Sequence, residues 1–455
     1  MTRRTDTMRP VGLAVLCAAS LAFGPAAADE TAPAGAATLR RAVPVGEVFS
    51  QPRTGMDAAA RMEFVLGKAM FDKLWVASPS STKASDGLGP LYNARSCALC
   101  HPGNGRALAP VGDGPLTMGL VLRLSVPAEA QTGIEGYLAT LPDPTYGAQL
   151  QTDAVSGLTP EAAPSVRYEA RASDGVELRV PEYDPGVALS AETMISPRLA
   201  PPVMGMGLIA TIPEANIRAG ADPEDADGDG ISGRINLVPT EAGPQLGRFG
   251  WKAGMASLPA QVADAFSHDI GVSSPLLPEG WGDCTEAQAA CRAAPHGDGD
   301  VRGTEIDAEA LALTTAYVAG LTLPARPDPA ATAEGRDLFA QIGCAACHRV
   351  EWQLPGPIGA IRPHSDFLLH DMGDGLADHR PEHRATGREW RTPPLWGIGR
   401  TTQVSGGAFF LHDGRARSLS EAIHWHGGEG QNARDRFVML SIRDRDALLA
   451  YLESL

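Results

Sequence analysis

The chain has 455 residues, 44% hydrophobic, 20% charged and only 5% aromatic, with 51 Gly and 37 Pro. This length and apolar fraction allow roughly two to three domains with proper cores, and exclude disorder, collagen and a disulfide-knot miniprotein. A formal net charge of −16 argues against a nucleic-acid partner, which needs a basic face to displace counterions. Seven cysteines are few for a secreted disulfide scaffold, so their placement decides the reading.

Arg3, Arg4 and Arg9 precede an apolar run from Val11 to Phe23, and Ala26-Ala27-Ala28 follows as a small-residue cleavage site. Residues 1–28 therefore read as a secretory signal peptide, too short to span a bilayer. Cys17 leaves with it. No later stretch is long and apolar enough to cross a membrane, so the mature chain is expected to be exported, periplasmic and without a transmembrane anchor. Residues 29–45 form an N-terminal extension.

Met62, Val65, Leu66, Ala69 and Met70 then recur at helical spacing. Shortly afterwards comes Cys97-Ala-Leu-Cys100-His101, and the same pattern returns as Cys344-Ala-Ala-Cys347-His348. On a helical turn, positions i, i+3 and i+4 point to one side. Two thiols can then form thioethers with the vinyl groups of a haem while the next imidazole reaches its iron. A zinc site or a redox dithiol are the alternative readings, but zinc does not require His directly after both pairs. Two covalent haem c groups are expected, with His101 and His348 as axial ligands.

The motifs mark a duplication. Gly67-Lys-Ala-Met-Phe71 precedes the first and Gly335-Arg-Asp-Leu-Phe339 the second. Each copy closes on an amphipathic helix, with Ala310, Leu313, Tyr317 and Leu321 in one stripe and Leu448, Tyr451, Leu452 and Leu455 in the other. Helix, haem motif and a closing helix packed across the first is a cytochrome c plan. The expected fold is mainly α: two cytochrome c-like domains, 46–322 and 331–455, joined by a Pro-rich linker, 323–330.

The first domain is much longer and should carry a large, loop-rich insertion. Val166, Tyr168 and Ala170 alternate before Ser173-Asp174-Gly175, and Val176, Leu178 and Val180 alternate after it, which predicts a β-hairpin. Asp225, Asp227 and Asp229 followed by Gly230 match the start of a calcium loop, although position 12 is Asn236 and not the usual Glu. Ca2+ there is an expectation; a solvated Asp-Gly turn is the other reading. Cys284 and Cys291 stand in a polar segment and are expected to form a local disulfide in an oxidising compartment.

Eight of the 11 histidines lie at or after His348, so the second haem has many candidates for its other axial position. A capping box, Ser418 with Glu421, starts a helix on which Leu419, Ala422, Ile423 and His426 share one face. His426 is thus presented from an apolar face; an ordinary core histidine is the alternative. For the first haem, Met204, Met206 and Met255 are candidates, and so is an open position.

Arg391-Thr-Pro-Pro-Leu-Trp396-Gly, His412-Asp-Gly-Arg, Pro201-Pro-Val-Met-Gly-Met-Gly-Leu208, Gly247-Arg-Phe-Gly-Trp251-Lys-Ala-Gly254 and Ile423-His-Trp-His-Gly-Gly428, together with both haem motifs, resemble the bacterial di-haem cytochrome c peroxidase superfamily. The chain is most similar to its di-haem oxidoreductases, also called "thiol oxidoreductases". The resemblance implies a distal ligand for the C-terminal haem after the His-Asp-Gly turn, commonly Met, and that position here is His426. It further implies an acid near the N-terminal haem, for which Glu214 is the candidate, and a tryptophan between the haems, for which Trp251 is the candidate. It also implies peroxide reduction, with a small redox protein as electron donor or acceptor and peroxide or another small oxidant as substrate. A di-haem electron carrier without catalysis, and an oxidase of a protein or thiol substrate, are the competing readings.

Overall fold

The computed structural model describes residues 43–129, 131–297, 303–326 and 329–455. The expected signal peptide 1–28, nearly all of the expected extension and part of the expected linker lie outside the described residues.

Two helix pairs repeat one packing solution. Helix α1 (Ala58–Asp72), capped by the Asp57 carboxylate accepting from the Ala60 amide at 2.8 Å, lies against α2 (Ala308–Gly320). Helix α3 (Ala333–Gln341) lies in the same way against a C-terminal helix, Ile442–Glu453. Each first helix carries a glycine at the crossing. A Cβ on Gly67 would stand 2.0 Å from the Leu313 carbonyl oxygen, and one on Gly335 would stand 2.0 Å from that of Ala447. The glycines let the partner backbone approach, which a side chain would prevent. A tyrosine from each second helix then seals the contact. Tyr317 packs 5.2 Å from Phe71 and Tyr451 packs 5.5 Å from Phe339, ring centroid to ring centroid. Both tyrosines are fully buried.

The helical period expected for α1 is present, but the buried face is the other one. Phe64, Gly67 and Phe71 point inward, while Met62, Val65 and Leu66 are exposed. The glycine crossing fixes that choice, because only the Gly67 face admits the α2 backbone.

The expectation of a mainly α fold is overturned. About 30% of the described residues are helix and 19% strand, spread over many small sheets. The predicted hairpin is present: β1 (Ser165–Ser173) pairs antiparallel with β2 (Val176–Asp184) in the register Ser173↔Val176. Asp174 and Gly175 at its turn both have positive φ, 50° and 81°, as a tight two-residue hairpin loop requires. The hairpin is one part of a larger β content. A preceding strand, Leu120–Pro127, pairs with Met194–Leu199 from Ser125↔Met194 to Leu120↔Leu199, burying Leu120, Leu122 and Leu124 on one side. That pairing closes over a long stretch of chain, so no local pattern announces it.

The predicted linker begins inside the core. Leu323 is buried beside Leu321, and the Thr322 amide donates to the Gln51 carbonyl at 2.9 Å. Cys284 and Cys291 form the expected disulfide, with Cα atoms 6.2 Å apart.

Candidate haem cavity

Both Cys-x-x-Cys-His segments use the same backbone bond to gather their side chains. The His101 amide donates to the Cys97 carbonyl at 3.0 Å, and the His348 amide donates to that of Cys344 at 2.9 Å. Ser96 caps the first turn, its hydroxyl accepting from the Ala98 amide at 3.2 Å. Gly343, at φ 99°, enters the second. Each motif histidine then meets the phenylalanine of its first helix: Phe71 lies 6.2 Å from the His101 ring and Phe339 6.2 Å from the His348 ring.

The first motif and the histidine of the second open into one cavity of about 560 Å³, lined by Cys97, Cys100 and His101 and by His348 and His426; Cys344 and Cys347 lie outside its lining, Cys347 Sγ 3.7 Å from His370 Nδ1. His348 and His426 face each other with ring centroids 6.5 Å apart. A metal bound between two imidazoles, at about 2.0 Å from each nitrogen with roughly 1.2 Å more to each ring centre, would hold the rings about 6.4 Å apart. All three candidate ligands are fixed in the same tautomer. Nδ1–H donates to a backbone carbonyl in each: His101 to Pro201 at 2.8 Å, His348 to His364 at 2.9 Å and His426 to Ala422 at 2.8 Å. That leaves Nε2 as a lone pair, the usual outer bond of a metal-ligating histidine. Burial lowers the pKa of all three, that of His348 to about 4, so each is neutral and able to ligate at pH 7. Burial likewise raises the thiols, Cys97 and Cys344 to about 12. These donor sets, spacings and free nitrogens fit two haem groups.

His426 reaches the cavity from a shorter helix than its periodicity suggests. Ser418 does cap it, accepting from the Glu421 amide at 3.0 Å, but α4 (Leu419–His424) stops before Trp425. The Gly427-Gly428 pair ends the turn, and the Nδ1 bond to Ala422 holds His426 in place instead. His424 points away and packs edge-on against Phe437 at 5.7 Å.

Other expected residues divide. Trp251 lines the cavity, donating from Nε1 to the Leu199 carbonyl at 3.0 Å. Met206 and Met255 also line it, whereas Met204 is buried in the core against Phe49 and Gly397. Glu214 does not reach it. It starts a short surface helix, Glu214–Arg218, and accepts from the Arg218 Nε at 2.7 Å. The carboxylates that do line the cavity are Asp264, Asp269 and Glu382. Two of these are committed: Asp264 pairs with Arg123 at 2.8 Å and Glu382 with Arg198 at 3.2 Å.

Asp225, Asp227 and Asp229 gather carboxylate oxygens within 4.8 Å of one another at the surface. Asn236, the twelfth position, is turned away. Its amide donates to the Lys252 carbonyl at 2.8 Å and the Glu382 carbonyl at 3.0 Å, and it accepts from the Arg384 amide. The loop therefore offers three side-chain carboxylates, short of the six to eight oxygens calcium takes.

Sequence reading missed several lining residues. Trp390 stacks on His412 with centroids 3.8 Å apart and rings 12° from parallel, so the histidine of the His-Asp-Gly turn is a wall and not a ligand. Arg106 and Arg391 also line the cavity, buried. Trp390 and Arg391 stand in a Trp-Arg-Thr-Pro-Pro run without periodicity, and Arg106 follows the first haem motif with no pattern of its own.

The family profile described as "Di-haem oxidoreductase, putative peroxidase" matches residues 27–160 and 186–455. No curated protein matches the chain. Among solved structures, the chain is similar to one described as "Kuenenia stuttgartiensis Hydrazine Synthase Pressurized with 20 bar Xenon", at 20% identity and a TM-score of 0.23, covering 32% of this chain and 55% of that chain. A likeness of that size carries no argument about activity. The family match spans most of the chain and agrees with a cavity lined by the histidines of both Cys-x-x-Cys-His motifs: the chain belongs to the di-haem oxidoreductase family.

Proposed function

We propose that the chain is an exported, periplasmic di-haem c-type oxidoreductase of peroxidase type. In this reading Cys97 and Cys100 hold one haem through thioethers, with His101 as its axial ligand. Cys344 and Cys347 hold the other, between His348 and His426. When bound, the haems would supply one-electron steps, two of which, drawn from a small redox protein and joined by two protons, reduce one peroxide to two waters.

One observation carries the reading: the asymmetry of the imidazoles. Two face each other at the second motif, 6.5 Å apart. At the first, the ring recorded beside His101 among the described residues is Phe71. A second protein ligand favours electron transfer, and a free position favours peroxide chemistry. His348 and His426 hold their geometry through carbonyl bonds and close the second side to small molecules. Phe71, Leu258 and Val262 keep the first side apolar. The acidic surface favours a basic donor through electrostatic steering.

Met206 and Met255 in the cavity wall support a second reading, in which a methionine closes the first haem and the chain is a pure electron carrier. Oxidation of a thiol substrate has less support, since among the described residues the two cysteines outside the motifs are joined as a disulfide. Peroxide-dependent oxidation of a reduced c-type donor by the purified two-haem protein tests the choice. Turnover supports the peroxidase; haem-loaded protein that transfers electrons but never consumes peroxide supports the carrier.

A further inference from the structure

Five arginines line the cavity: Arg106, Arg123, Arg198, Arg380 and Arg391. Three have carboxylate partners. Arg123 pairs with Asp264 at 2.8 Å, Arg198 with Glu382 at 3.2 Å, and Arg380 with Glu382 at 3.3 Å. Arg106 and Arg391 make no ion pair among the described residues, although they are only 8% and 7% exposed. Arg106 donates once, from Nη1 to the Leu411 carbonyl at 2.9 Å, and its Nε is buried without a partner. Arg391 donates to the Gly250 and Thr392 carbonyls. The carboxylate that acts on it, Asp366, is bound to His370 at 2.8 Å.

A buried guanidinium cannot shed its charge, and an unpaired buried cation costs several kcal/mol. Carbonyl bonds orient it without neutralising it. The two cations also meet one short segment. The Arg106 guanidinium lies 5.3 Å from the Trp251 ring centroid, while the Arg391 guanidinium donates from Nε to the carbonyl of Gly250, the preceding residue, at 2.9 Å. Two positive charges thus stand at the Gly250-Trp251 segment, in the wall of the cavity. A carboxylate, planar and bidentate, is the anion that matches a guanidinium.

We propose that Arg106 and Arg391 each pair with a haem propionate where the two haems approach Trp251. The assignment rests on the two-haem reading above. It gives these residues a positioning role: they fix the orientation of each haem about its thioether edge and hold positive charge beside it. A cation near the haem favours the reduced form, which carries one positive charge fewer.

The test is a spectroelectrochemical titration of wild type, Arg106→Gln, Arg391→Gln and the corresponding Lys variants. Haem content is measured by mass, so that a chain without covalent haem fails the two-haem reading and is told apart from failure here. Each Gln variant is expected to raise the oxidised-to-reduced ratio of a haem about tenfold at fixed potential, a fall of about 59 mV for one electron, and Lys is expected to restore much of it. Two unchanged potentials in fully loaded Gln variants overturn the proposal. So does a shift that appears only on adding acetate or chloride, which would mark a site for a free anion. If a Gln variant does not load haem, a crystal structure of the loaded wild-type protein decides: propionate oxygens within about 3.2 Å of both guanidiniums support the assignment, and propionates turned to solvent overturn it.

Discussion

His348 and His426 meet across the cavity with their rings 6.5 Å apart and tilted by 48°. They come from chain segments far apart in sequence, and each is held from behind by one carbonyl, that of His364 or Ala422. With each Nδ1 engaged behind the ring, Nε2 is the nitrogen left to bind a metal.

His426→Ala should therefore change one haem and leave the other as it was. The expected result is loss of one low-spin signature in absorbance and EPR, with both haems still attached. His424→Ala should leave both spectra unchanged, because that ring packs on Phe437. An unchanged spectrum in His426→Ala removes it as a ligand.

Gly67→Ala and Gly335→Ala test the repeated helix crossing. Each new Cβ would meet a carbonyl oxygen at 2.0 Å, so the helices must separate. Overpacking of this kind costs about 1–3 kcal/mol, and each variant should show a lower Tm by calorimetry. Equal stability would show that the crossing is loose.

His268 sets a pH dependence. Burial works to lower its pKa, but the Asp264 carboxylate at 2.9 Å outweighs it and lifts the value to about 9. A raised histidine pKa stabilises the fold fully below the unfolded value, about 6.5, and loses that contribution as pH rises through about 9. Stability should fall by on the order of 3 kcal/mol across this window. His268→Gln should flatten the decline in Tm over the same range; a decline as steep as in wild type contradicts the assignment.

Calcium at Asp225, Asp227 and Asp229 should bind weakly, because Asn236 is committed to the core. A Kd in the range of about 10⁻⁴–10⁻³ M is expected, and chelator should leave both the Tm and the haem spectra unchanged. Micromolar binding by calorimetry would show that further oxygens join the loop.

The parts legible in sequence were those with local grammar. Cys97 to His101 and Cys344 to His348 carry their chemistry within five residues, Asp174-Gly175 marks its own turn, and Gly67 and Gly335 recur at matching offsets from Phe71 and Phe339. The inward face of α1 is not marked by its apolar spacing, because its outward methionine, valine and leucine outnumber the two phenylalanines that turn inward. The β content was misjudged because Leu120–Pro127 finds its partner at Met194–Leu199, a pairing without a local signal. Glu214 was chosen for its place after the Met-Gly-Met-Gly run, yet Arg218 one turn later holds it at the surface. Arg106 and Arg391 gain meaning only once the fold brings their guanidiniums to the Gly250-Trp251 segment.

Resting-state EPR before and after addition of peroxide tests the central claim most directly. The account predicts one low-spin haem, held by His348 and His426, that persists, and a second whose signal changes when peroxide arrives. Two low-spin haems that both ignore peroxide would contradict it.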